Sequence, residues 1–175
     1  MTERRPIDAE HHLGPTGKNG SDPVSPREFK EAFSYHATGV AIVAVRDAGT
    51  VHATTVSSFV PVSVAPPVVL VSVSGNAQVL PFLDEGTRFT LNLLRAEQRS
   101  LATRYSDSYP VGPSPFTEEG DPLIPDALAS LRCLVQSVVP VHETRVVLGR
   151  VVGTRTGGDE HRALVHYRRG YHVLP

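Results

Sequence analysis

His52-Ala53-Thr54-Thr55-Val56-Ser57-Ser58-Phe59 is the stretch on which the reading of this chain turns. Five of its residues are small and four carry hydroxyls. Laid out as a strand, Thr55 and Ser57 face one side and Thr54 and Ser58 the other, because side chains alternate. Small side chains let a flat ligand approach the backbone. Hydroxyls and main-chain N–H groups can then bond its polar edge or a phosphate. An ordinary half-buried strand is the plain alternative, since Thr and Ser are common there.

Outward from this stretch, apolar runs alternate with turn residues. Toward the N-terminus, Val40-Ala41-Ile42-Val43-Ala44-Val45 reads as a strand and Asp47-Ala48-Gly49 as a turn. Ser25-Pro26-Arg27-Glu28 is a capping box with proline at the first helical position. Phe29, Ala32, Phe33 and Ala37 follow at helical spacing, which predicts a helix over 26–37 with its apolar face on the core. Toward the C-terminus, the strand over 51–59 should carry Pro61 near its end or at an edge, because proline cannot donate to a central ladder. Pro66-Pro67 marks a reversal, and 68–73 is a buried strand. Asn76 can cap a short helix running toward Leu83, limited or kinked by Pro81. A strand over 89–94 and a helix over 96–105 come next. Residues 106–126 hold five prolines and form a long irregular loop of the kind that is often functional or lid-like. Strands are expected over 131–139, 145–154, 163–167 and 171–174, with Gly157-Gly158 as a hairpin tip. Many short strands and few helices predict a mainly β chain built as a closed or partly closed antiparallel barrel.

The composition narrows the partners. Seventeen basic residues balance eighteen acidic ones, which argues against nucleic acid and against a membrane surface. Cys133 is the single cysteine, so no internal disulfide forms and a reducing, cytoplasmic setting is expected. No apolar stretch follows the first residues, so no signal peptide is expected, and no apolar run of membrane-spanning length occurs in the sequence. Residues 1–24 are polar and read as a disordered leader, with 25–175 as the one folded domain. His11 and His12 belong to that leader, where a flexible chain pre-organises no metal ligands. Cys133, in an alternating strand, reads as a small core residue rather than a nucleophile.

Much standard chemistry is missing. No Gly-x-Gly-x-x-Gly follows a strand, and there is no P-loop, no metal-spaced Cys/His set and no nucleophile elbow. A protein with so little chemistry of its own suits the positioning of a cofactor.

The order of motifs adds a resemblance. Ala37-Thr38-Gly39-Val40 precedes Thr55-Val56-Ser57-Ser58-Phe59, then Ser63-Val64-Ala65-Pro66-Pro67 and Val69-Leu70-Val71. Pro81, Arg88-Phe89, Asn92, Leu94, Gly149, Tyr167-Arg168 and Gly170-Tyr171 follow. This ordered set resembles the short-chain flavin reductase family, which includes the reductase halves of two-component flavin monooxygenases. The resemblance implies a flavin-binding split β-barrel of Greek-key antiparallel type with a few flanking helices, usually a homodimer. It implies FMN or FAD as the flavin and NADH or NADPH as co-substrate. Thr55, Val56, Ser57, Ser58 and Phe59 match the segment along the isoalloxazine and ribityl chain. Ser72, Ser74, Asn76 and Gln78 match the strand end and loop at the flavin phosphate, where a helix start would suit an anion. Arg104 and Tyr105 match an Arg–Phe pair after the second helix; a helix end with a solvated arginine accounts for them equally. Tyr167, Arg168 and Arg169 match the strand and turn linked to the dinucleotide, and a solvated hairpin tip is their alternative.

Two positions depart from the family. Gly75 stands where a basic or strongly polar residue is frequent. Five residues before Gly149, where the family commonly has a histidine near the nicotinamide, this chain has Thr144. His142 lies two residues too early, a displacement of roughly 6–7 Å along a strand; it could substitute only if the loop bulges, and an exposed loop histidine is the other reading. Gly149-Arg150 also stands where Gly-Glu is frequent. The leading expectation is an NAD(P)H:flavin oxidoreductase that supplies reduced flavin to a partner monooxygenase, with His142 and Thr144 as the candidate catalytic positions. The alternatives are a flavin-dependent biosynthetic enzyme with its own organic substrate, and a non-catalytic flavin carrier.

Overall fold

The structure is a computed structural model describing residues 23–158 and 162–174. The expected leader, with His11 and His12, lies outside the described residues apart from positions 23 and 24. The chain divides into two compact units, Met1–Phe33 and Ser34–Pro175.

In the first unit the capping box forms as read. Ser25 donates its N–H and its hydroxyl to Glu28 Oε2 at 2.9 and 2.6 Å, and the Glu28 N–H returns to Ser25 Oγ at 3.3 Å. These bonds hold the Glu28 carboxyl below its ordinary value. They start α1 (Pro26–Ser34), which is shorter than the expected 26–37. The expectation of a buried apolar face is corrected: no residue of α1 is buried, and Phe29 and Phe33 are 52% and 58% exposed. The two rings, one helical turn apart, cover each other at a centroid distance of 4.6 Å instead.

The second unit is mainly β. Its strands are β1 (Thr38–Gly39), β2 (Ala41–Asp47), β3 (Thr50–Val56), β4 (Phe59–Val64), β5 (Pro67–Ser74), β6 (Arg88–Leu93), β7 (Ala129–Val141), β8 (Thr144–Thr156), β9 (Leu164–Tyr167) and β10 (Gly170–Val173). One antiparallel sheet runs β3-β2-β6-β7-β8-β5-β4, and a smaller one runs β1-β9-β10. β5 and β6 are consecutive in the chain but separated in the sheet by β7 and β8, a Greek-key order rather than a meander.

The corner between β3 and β4 closes the barrel. These strands form opposite margins of the seven-stranded sheet, yet only Ser57 and Ser58 separate them. Three peptide steps span at most about 11 Å, so the two margins must meet here. Ser58 fastens the corner: its hydroxyl donates to the Ser72 carbonyl at 2.9 Å, and its carbonyl accepts the Ser72 N–H at 2.8 Å. The single strand expected over 51–59 is therefore two strands and a corner. Pro61 falls on the edge strand β4, beside a register shift between Pro61 and Ser63, as a missing donor requires.

Two further readings are corrected. Asn76 caps no helix. Its Oδ1 is taken by the Ser74 hydroxyl at 2.8 Å in a turn closed by Ala77 N–H on the Ser74 carbonyl, and only a 3₁₀ turn forms at Leu80–Phe82, with Val79 at its N-cap. Gly157-Gly158 is not a hairpin tip, because β8 and β9 lie in different sheets. The Gly157 N–H bonds the Leu128 carbonyl at 2.8 Å as the chain leaves β8. The helix expected over 96–105 is a 3₁₀ turn, Ala96–Gln98, continuing into α2 (Arg99–Tyr105).

β2 explains how the core is divided. All five residues from Ala41 to Val45 are buried, the signature of a strand covered on both faces. Ala41, Val43 and Val45 join the barrel interior with Val71, Val73, Phe89 and Val147. Val40, Ile42 and Ala44 join an outer cluster with Ala102 and Tyr105 of α2 and with Phe116 and Ile124 of the long loop. That loop has no helix or strand, but its second half is not a free lid. Buried Thr90 and Asn92 reach the Pro122 carbonyl at 2.7 and 3.3 Å. Arg46 donates to the carbonyls of Thr117 and Gly120.

Candidate functional site

The site is built along the margin that the barrel leaves open. The β2–β3 hairpin turns through Ala48 and Gly49, with φ of 45° and 84°, the two-residue geometry that pairs its flanking residues by hydrogen bonds. Asp47 opposes Thr50, Val45 opposes His52 and Val43 opposes Thr54. Antiparallel ladders alternate, so Val51, Ala53 and Thr55 direct their N–H and C=O groups away from β2. Among the described residues β3 pairs with no other strand. Ala53 and Thr55 thus present alternating donors and acceptors along a bare edge.

A cavity of about 160 Å³ lies against this edge, lined by Ala53, Thr54 and Thr55, by Asn76 to Gln78 with Ser74, and by Ser106 to Ser108 after α2. A larger one of about 560 Å³ is lined by Ser74, Gly75, Asn76, Leu80, His142, Glu143 and Arg145. Ser74 and Asn76 wall both, so the two are neighbours. The larger volume lies in the range of small-molecule sites.

The hydroxyls are largely committed to structure. Thr55 donates to the Ala102 carbonyl at 2.8 Å and Thr54 reaches the Tyr105 carbonyl at 3.5 Å. Both tie the C-terminal end of α2 to β3, which sets the position of Ser106 to Ser108. A hydroxyl whose proton is spent still accepts, so Thr55 faces a ligand as an acceptor. On the far side of this segment, burial pushes the Tyr171 phenol above its ordinary value, against the opposing pull of the Ser106 hydrogen bond and the Arg99 charge.

Of the residues singled out in the sequence, Thr55, Ser74, Asn76, Gln78 and His142 line these cavities. Val56 is buried in the barrel interior, with Phe59 packed against it. Ser57 and Ser58 make the corner, and Ser72 is its backbone partner. His142 occupies the β7–β8 turn with φ of 51°; the turn is a tight two-residue one, with Val141 opposite Thr144, rather than a bulge. Thr144 pairs with Ser74 but lines neither cavity. Arg104 lies over the Tyr105 ring at 4.9 Å, with its buried Nε lacking a hydrogen-bond partner. Tyr105 is itself buried and meets Phe116 edge-on at 5.6 Å. Arg168 and Arg169 form the β9–β10 turn with φ of 48° and 63°. Arg168 donates to the Tyr35 hydroxyl at 3.1 Å and lies over its ring, and neither arginine nor Tyr167 reaches the two cavities. Ala53, Ser106 to Ser108, Glu143 and Arg145 were not singled out. Only the prolines that follow Ser108 hinted that this loop carries function.

An antiparallel split barrel whose cavities adjoin one bare strand margin is the class of protein that fold and site define. Residues 33–175 match the flavin reductase like domain, and the chain belongs to that family. It is 35% identical over 146 residues to the reductase component of 4-hydroxyphenylacetate 3-monooxygenase of Thermus thermophilus, covering 83% of this chain and 95% of that one. It is 33% identical over 156 residues to the NADH:riboflavin 5'-phosphate oxidoreductase of Streptomyces pristinaespiralis, covering 86% and 89%. Among solved structures it is similar to the styrene monooxygenase flavin reductase of Pseudomonas putida S12, with a TM-score of 0.75, 31% identity, and coverage of 84% of this chain and 97% of that one.

Proposed function

We propose that the protein is an NADH-dependent flavin reductase that releases reduced flavin, FMN or FAD, to a partner monooxygenase. The observation that carries this is the bare β3 edge at Ala53 and Thr55, facing a cavity that continues past Ser74 and Asn76. A flavin's pyrimidine edge alternates acceptors with an N–H, and the backbone of an unpaired strand offers the complementary alternation. Small side chains at 53 to 55 let the ring system come close to that backbone. Reduced nicotinamide passes hydride to a bound flavin directly, so the protein's task is orientation. His142, on the hairpin tip, lines the larger cavity, but its turn is tight rather than bulged, so we do not assign it the place of the family histidine at the nicotinamide. The names of the relatives, a monooxygenase reductase component and an NADH:flavin oxidoreductase, support the same activity.

The finer assignments follow from the same reading. We assign the flavin contact to Thr55, Ser74, Asn76 and Gln78, and place the enzyme in the cytoplasm with its dinucleotide. No helix among the described residues is long and apolar enough to cross a membrane. A homodimer would cover the edge strand β4, where Val60, Val62 and Val64 are 51%, 54% and 90% exposed. The biosynthetic alternative drew on Thr144 and on the proline-rich loop. Thr144 lines neither cavity and the second half of the loop is pinned, so neither feature favours a second substrate.

Anaerobic stopped-flow mixing of the protein and FMN with NADH tests the proposal. Bleaching of the flavin band much faster than in a protein-free control is the expected result. A rate equal to that control rejects it.

A further inference from the structure

Gly75 stands where a phosphate-binding side chain would be expected, and the structure shows why it is glycine. A Cβ built there would overlap the backbone carbonyl oxygen of Glu143, with the Glu143 carbonyl carbon at 3.2 Å. The tip of the β7–β8 hairpin rests on this loop, so residue 75 can carry no side chain unless that hairpin moves. A different group must meet any phosphate that enters the larger cavity.

We infer that Arg145 is the phosphate-binding cation of this site, replacing a side chain at position 75; the inference rests on the flavin reductase reading above. Arg145 lines the cavity together with Ser74, Gly75 and Asn76. Strand alternation sets its direction. β8 runs in unbroken register with β5 from Thr144 to Arg150, so Arg145 shares a face with Val147 and Gly149. Val147 is fully buried in the barrel interior, and the face of Gly149 is covered by Phe89. Arg145 is the last residue of that inward row before the turn, at the mouth of the barrel. Its guanidinium has no hydrogen bond or ion pair among the described residues, although it is half-buried. An unpaired guanidinium at a cavity wall is matched by a dianionic oxygen cluster that it can grip with two N–H groups. His142 and Glu143 line the same wall. The Glu143 carboxylate opposes an anion, which makes the arginine the group that decides whether a phosphate is held. Ser74 and Asn76 supply neutral contacts beside it.

The phosphate can belong to the flavin or to the dinucleotide, and one set of variants separates the two. Dissociation constants for FMN and for riboflavin, which lacks the phosphate, are measured by fluorescence quenching with wild type, Arg145→Gln and Arg145→Lys. The KM for NADH is measured alongside the KM for N-benzyl-dihydronicotinamide, which has no phosphate. If the flavin phosphate is the ligand, Arg145→Gln weakens FMN about tenfold or more and leaves riboflavin within about twofold, with partial recovery in Arg145→Lys. If the dinucleotide phosphates are the ligand, the KM for NADH rises by a similar factor while FMN and the benzyl analogue are unchanged. Unchanged values for FMN and NADH overturn the inference. So does an equal loss for riboflavin and FMN, which marks a merely structural arginine. Wild type that binds and reduces flavin in the same assays keeps the reductase reading intact in either case. Wild type that binds no flavin overturns both.

Discussion

The side-chain oxygen of Asn92 on β6 accepts the Ile124 N–H at 3.0 Å, tying a fully buried strand residue to the loop that follows α2. The same oxygen accepts the Ser130 hydroxyl at 2.8 Å, and the Asn92 amide donates to Thr90 Oγ1 at 3.0 Å and to the Pro122 carbonyl at 3.3 Å. One side chain thus satisfies groups on three segments, and the loop's path depends on it.

Replacing Asn92 by Leu leaves the Ile124 N–H and the Ser130 hydroxyl short of partners in a dry interior. The expected loss is about 2–4 kcal/mol, read from urea midpoints. Limited proteolysis should cut within 106–126 in the variant and spare the wild type. An unchanged midpoint would show that water replaces the amide at no cost.

Gly149 is fixed by packing. A Cβ there would lie 2.5 Å from Phe89 Cζ and 3.2 Å from Cys133 Cβ. Gly149→Ala should cost about 1–3 kcal/mol. Phe89→Leu in the same chain should relieve part of that cost, so a double-mutant cycle should be non-additive. Additive losses would separate the two positions.

Burial pushes the Cys133 thiol from 9.0 up to about 12, and the protonated thiol is a poor nucleophile. Iodoacetamide at neutral pH should leave the native protein unmodified and label it once it is unfolded. Stability carries the matching sign. Below 9.0 both states hold the proton, so this contribution is fully present. Between 9.0 and about 12 the unfolded chain releases a proton that the native state keeps, and stability falls as pH rises. Cys133→Ala should flatten that alkaline decline, and a decline of the same steepness in the variant would assign it to other groups.

Thr55→Val keeps the shape of the side chain but removes the 2.8 Å bond to the Ala102 carbonyl. About 1 kcal/mol of stability should be lost, with a higher KM for flavin as Ser106 to Ser108 loosen. Thr54→Val, which gives up only a 3.5 Å contact, should change both much less. Equal effects at the two positions would argue against the anchoring of α2 through Thr55.

How much of this was legible varies with the range of the contacts involved. The capping box at Ser25 and Glu28, the strand β2 and the edge position of Pro61 are local signals, and each was read, though not that β2 is covered on both faces. The Ser57–Ser58 corner was missed because small polar residues continue the alternation through it; only the distant partner Ser72 reveals the bend. Asn76 looked like a cap because nothing in its neighbourhood shows that Ser74 takes its side-chain oxygen. At the site, Thr55, Ser74, Asn76, Gln78 and His142 were singled out by likeness to a family, and they do line the cavities. Arg145 read as the first residue of a strand. Its place beside Gly75 arises from a hairpin tip meeting a loop some seventy residues earlier in the chain, a coincidence that no spacing records.

The two-serine corner also makes completion of the sheet depend on non-local pairing. β3 and β4 are neighbours in the chain yet cannot zip together, because each finds its partner elsewhere: β3 on β2, and β4 on β5. Completing the sheet between these two hairpins requires distant segments to join, as Val71 with Val147 and Leu91 with Leu131 do. Such non-local closure is slow, on the order of milliseconds to seconds for barrel topologies. Closure does not cover the β3 edge at Ala53 and Thr55, which among the described residues pairs with no strand beyond β2.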